Sequence, residues 1–389
     1  MTGVDDVLSG RPAASPTLDV DAIIGDPSVR IVVCCGSGGV GKTTTAAALG
    51  LRAAEQGRRT VVLTIDPARR LAQSMGLTEL DNTPREVTGV DTGNGGALFA
   101  MMLDMKRTFD EVVLAHTDPA KAREIFANPF YQAMSSTFAG TQEYMAMEKL
   151  GQLRATDEWD LIVVDTPPSR SALDFLDAPQ HLAKFLDGRM LRMLLVPARN
   201  GGRSVLRLMT ASFSLVGRAF MKVLGTELIS DVSTFVSSLD STFGGFRQRA
   251  ERTYRVLQHR ETAFLLVAAP EPDAIREATY FAERLSADRM PLSGLVLNRV
   301  HEVAAAQLST DRSLGAAESL TAAGESPQTA AALRIHAGLR RRVARERSVA
   351  ERFALAHPQV PLSAVPAQPA DVHDLAGLRA VGAALGDAH

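Results

Sequence analysis

Hydrophobic residues in this chain gather into short runs that are apolar throughout. RIVVCC (30–35), TVVLTID (60–66), ALFAMMLD (97–104), DLIVVD (160–165), AFLLVAA (263–269) and SGLVLN (293–298) are the clearest, and PLSAVP (361–366) is the weakest. Unbroken runs, rather than alternating ones, predict strands covered on both faces. Between them lie helical patterns. One is alanine-rich and starts at about Lys42, and another runs over 331–358. Strands alternating with helices predict an α/β class with a doubly wound, mainly parallel sheet.

The spacing is uneven. More than fifty residues separate ALFAMMLD from DLIVVD, and nearly a hundred separate DLIVVD from AFLLVAA. These intervals predict a helical insertion subdomain at about 105–155 and 178–258. Residues 1–27 read as a flexible tail, and 28–389 as one domain. Residues 303–330, rich in Ala, Ser, Thr and Gly, read as a loop or a poorly packed helix. The basic face of 331–358 reads as a solvated surface.

Composition removes several classes. A net charge of −2 over 389 residues gives no global basic excess for nucleic acid, so no nucleic-acid partner is expected. The two cysteines, Cys34 and Cys35, are adjacent. They suit neither an ordinary disulfide nor a structural zinc site, and they read as buried, reduced and cytoplasmic. No run of about 18 apolar residues predicts a transmembrane segment.

The chemistry concentrates after the first strand. Gly36 to Thr43 satisfies G-x-x-x-x-G-K-[ST], preceded by a strand and followed by a helix. Such a loop turns main-chain N–H groups toward phosphate oxygens, and the helix N-terminus adds positive potential. Lys42 then reaches the β- and γ-phosphates, and Thr43 offers its hydroxyl to Mg²⁺. Asp165 and Asp66 close two predicted parallel strands at the end where open α/β sheets bind ligands. Asp165 fits a carboxylate on the Mg²⁺ side. Asp66 fits a residue that orients attacking water and lies near the metal, or one that caps the next helix.

GSGGVGKTT, TIDPARRL and VVDTPPSRSALDFL together resemble the nucleotide motifs of the ArsA-type ATPases, members of the MinD-like, deviant Walker A class of P-loop NTPases. ANPFYQAMSSTFAGTQEYMAMEKL (127–150), LLVAAPEPDAIREA (265–278), LVLNRV (295–300) and the closing VPLSAVPAQPADVHDLAGLRAVG are similar to the same family. The resemblance implies ATP and Mg²⁺ as ligands, a dimer with nucleotide at its interface, and a switch acting on a membrane-associated protein or hydrophobic client. It implies phosphate and metal contacts from Gly36, Ser37, Gly38, Gly39, Val40, Gly41, Lys42, Thr43 and Thr44. It assigns catalysis to Asp66 and Lys42, the metal to Thr43, Asp66 and Asp165, and adenine to Asn298 and the backbone near Pro366.

Ser37 departs from the family pattern, which carries a lysine there that reaches the partner's phosphates. A hydroxyl is short and uncharged. The resemblance therefore implies a slow homodimer, or a heterodimer with a lysine-bearing paralogue, unless Arg69, Arg70 or Arg170 substitutes. An ATP-binding regulatory subunit with little hydrolysis is the alternative. DTPPSRS also departs from the family's second switch, and the family's metal-binding cysteines have no counterpart. The methionine-rich runs 189–197 and 205–225 suit a client groove, or helices buried against the core or a partner subunit. Localisation follows as cytoplasmic or peripheral at a membrane.

Overall fold

A computed structural model describes residues 15–66, 70–128, 131–132, 141–167 and 248–386. The chain divides into two compact units. One lies within Met1–Met102, Thr156–Ala172 and Val256–His389, and the other within Leu103–Ala155 and Leu173–Arg255.

The first unit is built on an eight-stranded sheet of order β3-β4-β2-β5-β1-β6-β7-β8. The strands are β1 (Ile31–Cys35), β2 (Arg59–Thr64), β3 (Arg85–Glu86), β4 (Ala97–Met102), β5 (Leu161–Asp165), β6 (Thr262–Ala268), β7 (Leu292–Val300) and β8 (Leu362–Pro366). Every pairing is parallel except the short β3, which runs antiparallel to β4. Strands β1, β5 and β6 are buried at every position, as their unbroken Val/Ile/Leu runs require. From β1 the chain crosses β5 to reach β2, while β6 joins the other side of β1. That reversal opens a crevice at the carboxyl ends of the central strands.

Helix α2 (Lys42–Glu55) follows β1, and its alanines let it approach the sheet closely. A Cβ on Gly50 would stand 2.4 Å from Val62. The C-terminal helix α10 (Leu375–Gly386) packs on α2, with Gly382 and Gly386 against Arg52.

One expectation is corrected and one open alternative is decided. Residues 15–27 are built into the fold: Leu18 N–H donates to Leu362 O at 3.0 Å, and Leu362 N–H donates to Pro16 O at 2.9 Å. Helix α1 (Val20–Gly25) follows, capped by Asp19, with Leu18, Val20 and Ile24 buried. An open edge at β8 and these apolar residues outweigh the polar composition. Residues 303–330 resolve in favour of a helix, α8 (Thr310–Ala323), which starts at the Ser309 cap and ends at Gly324 in the left-handed region. It packs on the long α9 (Pro327–Ala356) through small buried residues, Ala317, Ala330 and Ala337. Between β6 and β7 lies α7 (Pro272–Ala287).

The second unit contains α4 (Met105–His116), α5 (Pro119–Ala127) and α6 (Thr141–Thr156). Asp104 and Asp118 cap the first two. Helix α6 buries a continuous run from Tyr144 to Leu150, including Glu148, which Arg249 meets at 3.0 Å. The methionine-rich runs 189–197 and 205–225 lie outside the described residues.

Candidate nucleotide-binding site

Strand β1 delivers the chain into the crevice with Cys34 in register beside Asp165 on one side and Leu265 on the other. At Gly36 a Cβ would lie 2.0 Å from the carbonyl oxygen of Val267, so only glycine clears β6. Ser37 is half-buried, and Gly38 and Gly39 are exposed. Gly41 ends the loop at φ +96° as the N-cap of α2, and Thr45 N–H donates to Gly41 O at 2.9 Å. The N–H groups of the first helical turn are therefore left free for an anion.

One long-range side chain pins this loop. Asn298, on β7 and 8% exposed, donates from Nδ2 to Val40 O at 2.8 Å, and its Oδ1 accepts from Arg299 N–H at 3.0 Å. A Cβ on Gly41 would stand 2.1 Å from Asn298 Nδ2. Arg299 takes φ +63°, where the β7–β8 register shifts between Asn298 and Val300. Pro366, at the end of β8, is paired in register with Val300, and its carbonyl accepts from Gln368 Nε2 at 3.0 Å.

Lys42 folds back so that Nζ donates to Ser37 O at 2.8 Å. The residue is 6% exposed, and burial pushes its pKa down, with Asp165 the strongest opposing charge. A cation held over a ring of backbone is in place to exchange a carbonyl for a phosphate oxygen.

Asp165 is the most constrained acid in the site. It is fully buried. Its Oδ2 accepts from Thr43 Oγ1 at 2.8 Å and from Thr64 Oγ1 at 2.9 Å, while Oδ1 has no partner. Burial raises its pKa to about 6, against the pull of both threonine hydroxyls and Lys42. A buried carboxylate with an unused oxygen beside a threonine hydroxyl suits Mg²⁺, which takes few protein ligands and completes its shell with water and phosphate. Among the described residues no group of three or more His, Cys, Asp or Glu could hold a metal, so an all-protein cage is not what this site offers.

Asp66 lies two residues beyond the end of β2, partly exposed, with its N–H 3.2 Å from Thr64 Oγ1. It follows the strand rather than closing it. Thr44 is half-buried on the first turn of α2. Cys34 and Cys35 are buried and free, and burial raises both thiols, Cys35 to about 12, so they pack as small hydrophobic groups. Arg69 and Arg170 lie outside the described residues, and Arg70 opens α3 (Arg70–Ser74).

Sequence reasoning did not find Thr64, Thr166 or the Val267 carbonyl. Thr166 Oγ1 donates to Cys34 O at 2.8 Å and ties β5 to β1 at the mouth of the loop. The register of β2 against β5 sets Thr64 opposite Asp165. Only the threonine two places before Asp66 hinted at this role.

The sequence profile described as "Anion-transporting ATPase", the ArsA ATPase family, matches residues 29–312. The chain belongs to the ArsA family. The matched region carries every sequence-predicted site residue except Pro366. An uncharacterized protein of Streptomyces coelicolor is 30% identical over 256 residues, 64% of this chain and 58% of that protein. ATPase GET3 of Malassezia globosa is 30% identical over 185 residues, 48% of this chain and 50% of that protein. ATPase GET3B of Arabidopsis thaliana is 23% identical over 320 residues, 75% of this chain and 70% of that protein. The chain thus spans only 58% and 50% of the first two relatives. Among the described residues no helix of this ArsA-family chain is long and apolar enough to cross a membrane.

Proposed function

We propose that the chain is a Mg²⁺-dependent ATPase that couples ATP binding and hydrolysis to the conformation of a dimer, and through it to a membrane protein or hydrophobic client. The observation that carries the reading is the joint between Thr43 and Asp165, 2.8 Å apart at the mouth of a glycine loop, with a second carboxylate oxygen unused.

Roles follow from the groups present. Backbone N–H groups of Gly36–Thr44, including those of Ser37 and Val40, and the start of α2 receive phosphate oxygens. Lys42 supplies a partly desolvated cation to the outer phosphates. Thr43, Asp66 and Asp165 would hold Mg²⁺. The ion, when bound, neutralises charge on the phosphates. Asp66 orients the attacking water. Asn298 still has one amide hydrogen and a lone pair for an adenine edge, and the backbone near Pro366 closes over the base. ADP occupies the same site after hydrolysis.

Ser37 supports a division of labour between subunits. A trans-acting cation contributes roughly 10³–10⁵ in rate in GTPases that use one. Without it a homodimer turns over slowly, and a paralogue bearing lysine restores the rate in a heterodimer. The same residue favours a second reading, an ATP-binding regulatory subunit with little hydrolysis of its own. Calorimetry and phosphate release on the isolated chain, then with a lysine-bearing relative added, separate these. Heat of Mg·ATP uptake with slow turnover, rising on mixing, is expected. Turnover that stays negligible with the partner selects the regulatory reading, and no heat of nucleotide uptake overturns both.

A further inference from the structure

Helix α9 carries a feature that nucleotide binding does not use. Arg334, Arg341, Arg345 and Arg352 are all exposed, at successive offsets of seven, four and seven residues. At about 100° per residue these offsets place the four side chains within about 40° of one another around the helix. At about 1.5 Å per residue the line is roughly 27 Å long. Gly338 and Ser348, between the arginines, are exposed as well. No acidic residue of α9 falls within about 60° of the line at this helical period. Glu346, on another side of the helix, is buried and engaged by His301 Nδ1 at 2.8 Å and Arg342 Nε at 2.9 Å. Among the described residues Arg334 reaches only the hydroxyl of Thr321, at 2.7 Å, and no carboxylate lies within ion-pair distance of Arg341, Arg345 or Arg352.

A solvated surface usually interleaves both signs of charge. Four unneutralised guanidinium groups in a straight row, on a chain with net charge −2, make a local exception. The row ends beside Leu355, which is 78% exposed. We infer that this face of α9 docks the protein on an anionic lipid surface, with the arginines over headgroup phosphates and carboxylates and Leu355 at the acyl boundary. A fluid bilayer offers anions at any spacing, so a straight row needs no further matching. Nucleic acid fits less well. The one Phe, Tyr or Trp of α9, Phe353, is buried, so the row carries no such ring between its arginines as a base-stacking platform. The docking needs neither ATP nor its hydrolysis.

The test is co-sedimentation of the nucleotide-free protein with phosphatidylcholine vesicles, with and without roughly one-third phosphatidylserine. Binding to the anionic vesicles alone is expected, and it should be lost between on the order of 0.1 M and 1 M salt as screening shortens from about 10 Å to 3 Å. Each arginine near such a surface contributes about fivefold in partitioning, so R341Q/R345Q should bind about 25-fold more weakly. R260Q/R276Q removes the same charge from exposed positions off the row and should bind as the native protein does. Circular dichroism confirms that each variant is folded. Absence of binding to anionic vesicles, equal loss in both double variants, or tighter binding to duplex or single-stranded nucleic acid than to vesicles overturns the inference.

Discussion

Replacing Asp165 by asparagine should stabilise the nucleotide-free protein while removing its response to Mg·ATP. The carboxyl is fully buried, and burial lifts its pKa from an ordinary 3.8 to about 6. The folded protein therefore keeps this proton up to about pH 6, while the unfolded chain releases it near 3.8. Across that window the folded state binds more protons, so its stability falls as pH rises, and the loss is complete above about pH 7. At about 1.36 kcal/mol per unit, the loss amounts to about 3 kcal/mol. D165N escapes it, and its amide can still accept from Thr43 and Thr64. The substitution also withdraws the strongest countercharge from Lys42, whose ammonium burial already disfavours. The net gain above pH 7 is then about 1–2 kcal/mol.

The chain supplies its own probe. Its single tryptophan, Trp159, is 5% exposed and meets Phe99 edge-on at 5.0 Å, in the unit that holds the site. Urea unfolding followed by Trp159 fluorescence should show the two proteins equal near pH 4 and D165N ahead near pH 8. Mg·ATP at about a hundredfold excess over its dissociation constant should then add about 2.7 kcal/mol to the native protein and little to D165N. A native protein at least as stable as D165N at pH 8 without nucleotide, or a difference that ignores pH, would refute the reasoning.

Four further outcomes are expected. Thr64→Val removes one of the two hydroxyl donors to Asp165 and should cost about 1–2 kcal/mol near pH 8, with the acid-side midpoint moved upward in the same fluorescence assay. Gly36→Ala places a methyl against the Val267 carbonyl, a backbone atom in the sheet that cannot step aside. Soluble yield should collapse, and a folded variant with native Trp159 emission would contradict the close approach. Ser37→Lys should raise phosphate release by the isolated chain at least about tenfold, part of the roughly 10³–10⁵ ascribed to trans-acting cations. An unchanged rate at saturating ATP would remove the reason for a lysine-bearing partner. Gly41→Ala should lose about 1–3 kcal/mol from backbone strain and from the contact with Asn298, and in an N298A background, which carries its own cost from the lost Val40 bond, the same substitution should lose only the first part. An equal cost of G41A in both backgrounds would show that Asn298 is not what excludes the methyl.

The parts of the fold that can be read from the sequence are those with strong contrast. Runs such as IVVCC and LIVVD are apolar on both faces because both faces are covered, and nothing else in a chain of this polarity explains them. Helix α8 has no such contrast. It buries only Ser313 and Ala317, so its sequence carries almost no hydrophobic period. The pairing of residues 16–18 with β8 depends on an edge strand more than three hundred residues downstream, and β3 is too short to carry a pattern.

The same division runs through the site. Lys42, Thr43 and Asp165 stand out in the sequence because the proposed phosphate and metal chemistry would demand those side chains at fixed places. The residues that hold them depend on strand register: Thr64 meets Asp165 across 101 positions, and Asn298 meets Val40 across 258. Gly41 belongs to both groups. Motif reasoning asks for glycine there so that backbone can approach a phosphate. The structure adds a second demand, since the Asn298 amide occupies the space a methyl would need. The two demands separate experimentally, because only the second acts on the empty protein. The part of the G41A destabilisation that an N298A background removes, without nucleotide, therefore measures how closely β7 crowds the loop, and any additional loss of Mg·ATP affinity measures the approach to phosphate.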